Sequence, residues 1–154
     1  MTKLALPPSL IIKNSLDSFK PEDTVAVRGV DREILDYLRD KVSTVLLVEE
    51  GSFLSACLVE ESISGLVFCV TDIRASTLFV LTQLLERVTP AGIVVCYGLS
   101  KEIEGVMYLL ALYLGVNYEV FSVPSYKNSI SFTLVQGVRS EVNPDLKIPD
   151  KTSY

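Results

Sequence analysis

From Asp23 onward, short β-branched runs alternate with longer stretches of helical periodicity. Thr24-Val25-Ala26-Val27 is the first such run; it stops at Gly29, and Asp31 is placed to cap a following helix. Ile34, Leu35 and Leu38 share one face of that helix, opposite Asp36, Arg39 and Asp40. Residues 44–48 (TVLLV) are apolar throughout, the pattern of a parallel strand covered on both faces, and end at Glu49-Glu50-Gly51. A short helix is expected over residues 52–60, with Leu54, Cys57 and Leu58 inward. GLVFCV (65–70) reads as the next buried strand and is followed by Thr71-Asp72. Leu78, Leu81, Leu84, Leu85 and Val88 lie on one side of an amphipathic helix over residues 75–88, stopped by Pro90. GIVVC (92–96) is a fourth strand, ending at Tyr97-Gly98.

The segment from Lys101 to Leu114 is helical and apolar around most of its circumference, which predicts deep burial or a subunit seam. Gly115 is its expected C-cap. Two further strands, Tyr118–Val123 and Ser129–Gln136, are joined by a short link around Tyr126 and should pair antiparallel. Residues 1–20, with Pro7-Pro8 and Leu10-Ile11-Ile12, read as an N-terminal arm or edge strand. Residues 21–138 form the α/β domain, and 139–154 a polar tail carrying Pro144 and Pro149. The fold class is therefore α/β: a three-layer, Rossmann-like sheet, mostly parallel with a C-terminal antiparallel β-hairpin. That closing hairpin resembles the S-adenosylmethionine (SAM) methyltransferase-like variant more than nucleotide folds whose last strands stay parallel.

Composition narrows the chemistry. With 154 residues, 49% hydrophobic and 21% charged, the chain suits one domain and neither a disordered tail nor a membrane bundle. No apolar run reaches the roughly 18 residues of a membrane span. A net charge of −5 argues against a phosphate-tracking nucleic-acid binder. The absence of histidine removes Ser-His-Asp, Cys-His and His-ligated metal mechanisms together. Cys57, Cys69 and Cys96 lie in apolar runs without CxxC spacing, so buried thiols in a reducing compartment are expected, with no metal site. Met1-Thr2-Lys3 followed by Pro7-Pro8 lacks the apolar core of a signal peptide, and a cytoplasmic location is expected.

In such a sheet ligands bind at the carboxyl ends of the strands. Gly29, Val30 and Asp31, then Glu49 and Glu50, then Thr71 and Asp72, then Tyr97 are expected there. Glu49 follows Gly29 by the spacing that separates a turn glycine from a ribose-binding acid. Each has a plainer reading beside it. Gly29 is a turn residue, the glutamates are a solvated strand end, Asp72 is a helix cap, the cysteines pack a core, and Tyr97, Tyr113 and Tyr126 are ordinary strand-end tyrosines. A RecA-like phosphate loop is excluded, because GVDREILD has neither Lys nor a second Gly.

TVAVRGVDREILDYLRDKVSTVLLVEE resembles the opening of the polyamine aminopropyltransferases, the spermidine synthase family. GLVFCVTDIRASTLF is similar to that family's apolar strand and active-site loop. ERVTPAGIVVCYG is similar to its helix end and next strand, and VPSYKNSISFTL to its Pro-Thr-Tyr-Pro segment and final strand. The ordered set spans Thr24 to Gln136. The resemblance implies decarboxylated SAM, SAM or methylthioadenosine as ligand, with Gly29, Asp31, Glu49 and Glu50 around the nucleoside. It implies Asp72 as acceptor of a proton from the attacking amine, and Tyr97 and Tyr126 beside the polyamine. Three departures stand against full activity. The family's Gly-rich turn is reduced to Gly29 between Arg28 and Val30. Only 16 residues separate Val48 from Gly65, too few for the family's extra strand and adenine-contacting loop. In a shifted register Cys69, not an aspartate, takes the catalytic position. The resulting expectation is a degenerate relative that kept the sheet and lost aminopropyl transfer. It would require no cofactor and act by self-association through the Ile103–Leu114 helix or by binding a partner. The alternative is a small active transferase for an S-adenosyl or methylthioadenosine compound and a polyamine.

Overall fold

The computed structural model describes residues 8–48, 62–123 and 131–140. Its elements run α1 (Pro8–Leu16), β1 (Thr24–Arg28), α2 (Arg32–Arg39), β2 (Thr44–Leu47), β3 (Ile63–Val70), α3 (Ala75–Arg87) and β4 (Val88–Leu99). They continue with α4 (Ser100–Glu104), α5 (Met107–Leu114), β5 (Tyr118–Val123) and β6 (Phe132–Val138). The six strands form one sheet in the order β2-β1-β3-β4-β6-β5. β1 to β4 are mutually parallel, whereas β6 lies antiparallel to both β4 and β5. The expected three-layer sheet with its closing hairpin is therefore the observed one.

Strand alternation divides the core in two. Val25, Val27, Val67, Val95 and Leu134 meet α1 and α2 on one face. Ala26, Leu66, Phe68, Val94, Cys96 and Val135 meet α3, α4 and α5 on the other.

Four local expectations are corrected. The lead-in arm contains a helix, not an edge strand: Pro8 occupies the first helical position, where its missing N–H costs nothing. Ile12 and Leu16 of that helix, then Phe19, enter the core, and the Phe19 ring lies against Gly65 so closely that no Cβ would fit. β2, expected to be covered on both faces, is the sheet's edge, and Leu47 is 47% exposed. The fourth strand begins at Val88 and passes through Pro90 at a register shift, which places Tyr97 inside β4 instead of beyond it. The Lys101–Leu114 helix is two helices, because Gly105 packs against Ile73 and the chain turns at Val106. Gly115 does close α5, with φ +66° and its N–H donating to the Ala111 carbonyl at 2.8 Å. The helix expected over 52–60, Cys57, the residues from Glu141 onward and the hairpin link at 124–130 lie outside the described residues.

Candidate functional site

The chain leaves β1 toward α2 on one face and leaves β3 toward α3 on the other, so the switch point lies between β1 and β3. Gly29 makes the turn after β1 with φ +80°, and a Cβ built there would lie 2.9 Å from the carbonyl oxygen of Cys69. Both facts demand glycine. Asp31 is committed to α2: its Oδ1 accepts the Ile34 N–H at 2.9 Å, an N-cap bond.

Asp72 follows β3 at the same end of the sheet. Its carboxylate accepts the Arg74 N–H at 3.0 Å, the Arg74 Nη2 at 3.1 Å and the Thr77 hydroxyl. The Arg74 guanidinium foremost, then the Thr77 hydroxyl and the Arg74 N–H, hold this carboxyl far below the usual carboxylate range. Such a carboxylate ties the loop before α3 to the Thr77 side chain and is a poor proton acceptor; the N-cap of α3 is Arg74, and no side chain makes a capping bond there.

Tyr97 sits within β4, is 5% exposed, and its ring meets Phe132 with centroids 5.9 Å apart. Its hydroxyl shares a hydrogen bond with the Cys69 thiol. Burial raises the Tyr97 hydroxyl well above its ordinary range, aided by the neighbouring Cys69. It is a packed residue of the core. Burial, and then the Asp31 charge, push the Cys69 thiol up to about 11, while the Tyr97 bond pulls the other way. Cys69 is accordingly expected to alkylate at pH 8 roughly a hundred-fold more slowly than an exposed cysteine. Tyr97→Phe, by removing the bond that favours the thiolate, should slow it further. Iodoacetamide labelling followed by mass spectrometry checks both, and a fast-reacting Cys69 would refute the buried pair.

By sequence Arg28 only flanks the reduced Gly-rich turn. In the structure it is the last residue of β1, directly across from Phe68 of β3. It is 9% exposed, and its Nε has no hydrogen-bond partner among the described residues. Its guanidinium carbon stands 5.6 Å from the Phe68 ring centroid. The signal was present: alternation puts position 28 on the same inward face as Ala26. Glu49, Glu50 and Tyr126 lie outside the described residues. Among the described residues no group of three or more Cys, Asp or Glu is placed to hold a metal ion, and no helix is long and apolar enough to cross a membrane.

No protein-family model matches the sequence, and no curated protein is similar to it. Solved structures do share the architecture. A candidate methyltransferase of Streptococcus mutans, in complex with S-adenosylhomocysteine, superposes with a TM-score of 0.60 at 14% identity, covering 87% of this chain and 99% of that one. An rRNA methylase of Streptococcus thermophilus gives 0.57 at 13% identity, over 90% and 99% of the two chains. The N-methyltransferase NodS of Bradyrhizobium japonicum, also with S-adenosylhomocysteine, gives 0.66 at 10% identity, over 85% of each. The chain therefore has the Rossmann-like fold of these methyltransferase structures. At such identities the likeness extends to the fold alone.

Proposed function

We propose that this chain is a spermidine synthase-like protein that has kept the sheet, has lost aminopropyl transfer, and works in the cytoplasm by pairing with a second copy of itself. The observation that carries the loss is the condition of Asp72. A base that deprotonates an amine needs a free carboxylate facing the substrate, and this one is spent on Arg74 and Thr77. Asp31, the other described acid at the strand ends singled out by sequence, caps α2. Arg28 adds a positive charge beside the switch point, which disfavours a sulfonium nucleoside and a cationic polyamine alike.

Support for pairing comes from the far edge of the sheet. β5 ends the strand order, and Val120 and Phe121 on it are 49% and 40% exposed. A groove of about 610 Å³ separates it from α1 on one face, and one of about 440 Å³ from α4 and α5 on the other. Tyr108 and Leu112 of α5, the helix expected to form the seam, are also exposed. The strand carries one charge, Glu119, and no proline or lysine to guard it. Antiparallel pairing of two β5 edges is self-complementary, as a two-fold interface requires.

Titration calorimetry with SAM, decarboxylated SAM and methylthioadenosine is expected to give no heat. An aminopropyl-transfer assay with putrescine should give no product, and sedimentation should give a dimer that Phe121→Lys converts to monomer. Turnover that Asp72→Asn abolishes would overturn the loss of catalysis and establish the small-transferase alternative. A monomer at micromolar concentration would overturn the pairing.

A further inference from the structure

We propose that Arg28 anchors an oxyanion site at the switch point of the sheet, taking the phosphate or carboxylate group of a small ligand. Arg28 closes a run, Thr24–Arg28, whose preceding three residues are fully buried and apolar. Its side chain points to the α3 face with Ala26, crosses to β3 and lies over Phe68, itself 0% exposed. No hydrogen bond or ion pair holds it among the described residues, and its Nε is buried without an acceptor. Among the described residues, its charge meets the ring face of Phe68.

A guanidinium whose Nε is buried without an acceptor is costly. Removing a charged group from water is penalised unless a counter-charge and hydrogen bonds replace the solvent. A leucine or methionine would fill the same position without that penalty. The position is also the one where open α/β sheets meet their ligands, outside the carboxyl ends of strands at the change of direction. The turn that follows is held by Gly29 at φ +80°. The planar fork of an arginine matches two oxygens of a phosphate or carboxylate, and supplies no match for a cation. The site's preferred ligand is thus anionic. The inference stands on Arg28 and its surroundings and does not depend on whether the chain has lost aminopropyl transfer.

The test uses the full chain and two probes, inorganic phosphate and acetate, each exchanged for chloride at constant ionic strength. The Nε–Hε signal of Arg28 in a ¹⁵N spectrum is expected to move saturably with one probe or both, and which one moves it identifies the ligand group. The melting temperature should rise over the same concentration range. Arg28→Met should fold with a melting temperature equal to or above that of the wild type without anion, and its apparent anion affinity should fall at least about tenfold. No saturable movement of the Arg28 signal with either probe overturns the proposal. So does an anion-dependent rise in melting temperature that Arg28→Met leaves intact.

Discussion

Phe68→Ala is expected to lower the unfolding free energy by about 4 kcal/mol, the largest effect of any single change considered for this fold. Phe68 is fully buried in the centre of β3, within the apolar cluster shared with α3, α4 and α5. Truncation removes the transfer energy of the ring and leaves a cavity that a sheet paired on both sides cannot collapse into. A second loss adds to the first, because Phe68 also presents its ring to the buried Arg28. Such a contact is worth about 0.5–2 kcal/mol, more when desolvated. Phe68→Leu separates the two contributions: it keeps most of the volume and removes the aromatic face, so it should cost about 1–2 kcal/mol. Combining each change with Arg28→Met in a double-mutant cycle isolates the cation–π energy. Urea unfolding with unchanged m-values is the measurement. An alanine variant less than about 1.5 kcal/mol below wild type would mean that β3 is not the centre of the core.

The strands and helices that bury a continuous face were legible in the sequence because burial imposes its own period. Ile34, Leu35 and Leu38 turn inward at helical spacing, as do Leu81, Leu84 and Leu85, and all are buried. What failed was set by distant partners. TVLLV is as apolar as a central strand, yet its place at the edge depends on which strand it pairs with, and no local pattern records that. The break at Gly105 needs Ile73, 32 positions away, to lie against the glycine. Pro7-Pro8 beside a short apolar run read as an arm or edge strand, yet Pro8 suits the first turn of a helix.

At the site, sequence spacing identified the positions and could not assign their work. A catalytic aspartate and one that ties down a loop look alike in a string of letters. The choice follows from Arg74 and Thr77, two and five residues on, whose donors converge on one carboxylate. Tyr97 was placed beyond its strand because β4 is longer than its apolar run, and the extra length turns the ring into the core beside Phe132. Arg28 was the reverse case. Its inward register was readable, but that its Nε meets no acceptor among the described residues is a property of the folded neighbourhood alone.

Gly29 joins the two subjects, since the fold and the candidate site both hang on one turn. Gly29→Ala is expected to destabilise the chain by about 2–3 kcal/mol, from two causes that can be told apart. The first is conformational: φ of +80° lies where an L side chain meets its own backbone. The second is steric: the new Cβ would lie 2.9 Å from the carbonyl oxygen of Cys69 and 3.3 Å from its Cβ, so β1 and β3 must part slightly at the switch point. Asparagine tolerates positive φ better than alanine does but carries the same Cβ. If strain in φ were the whole cost, Gly29→Asn would recover most of the stability. With the Cys69 contact contributing, both variants should remain at least about 1 kcal/mol below wild type. The parting of the strands also predicts a chemical consequence. Cys69 loses part of its burial, and since burial is the main reason its thiol is held at about 11, its alkylation should accelerate in both variants. Wild-type stability in Gly29→Ala, or an unchanged Cys69 rate in a destabilised variant, would show that the turn and the β1–β3 contact are not coupled.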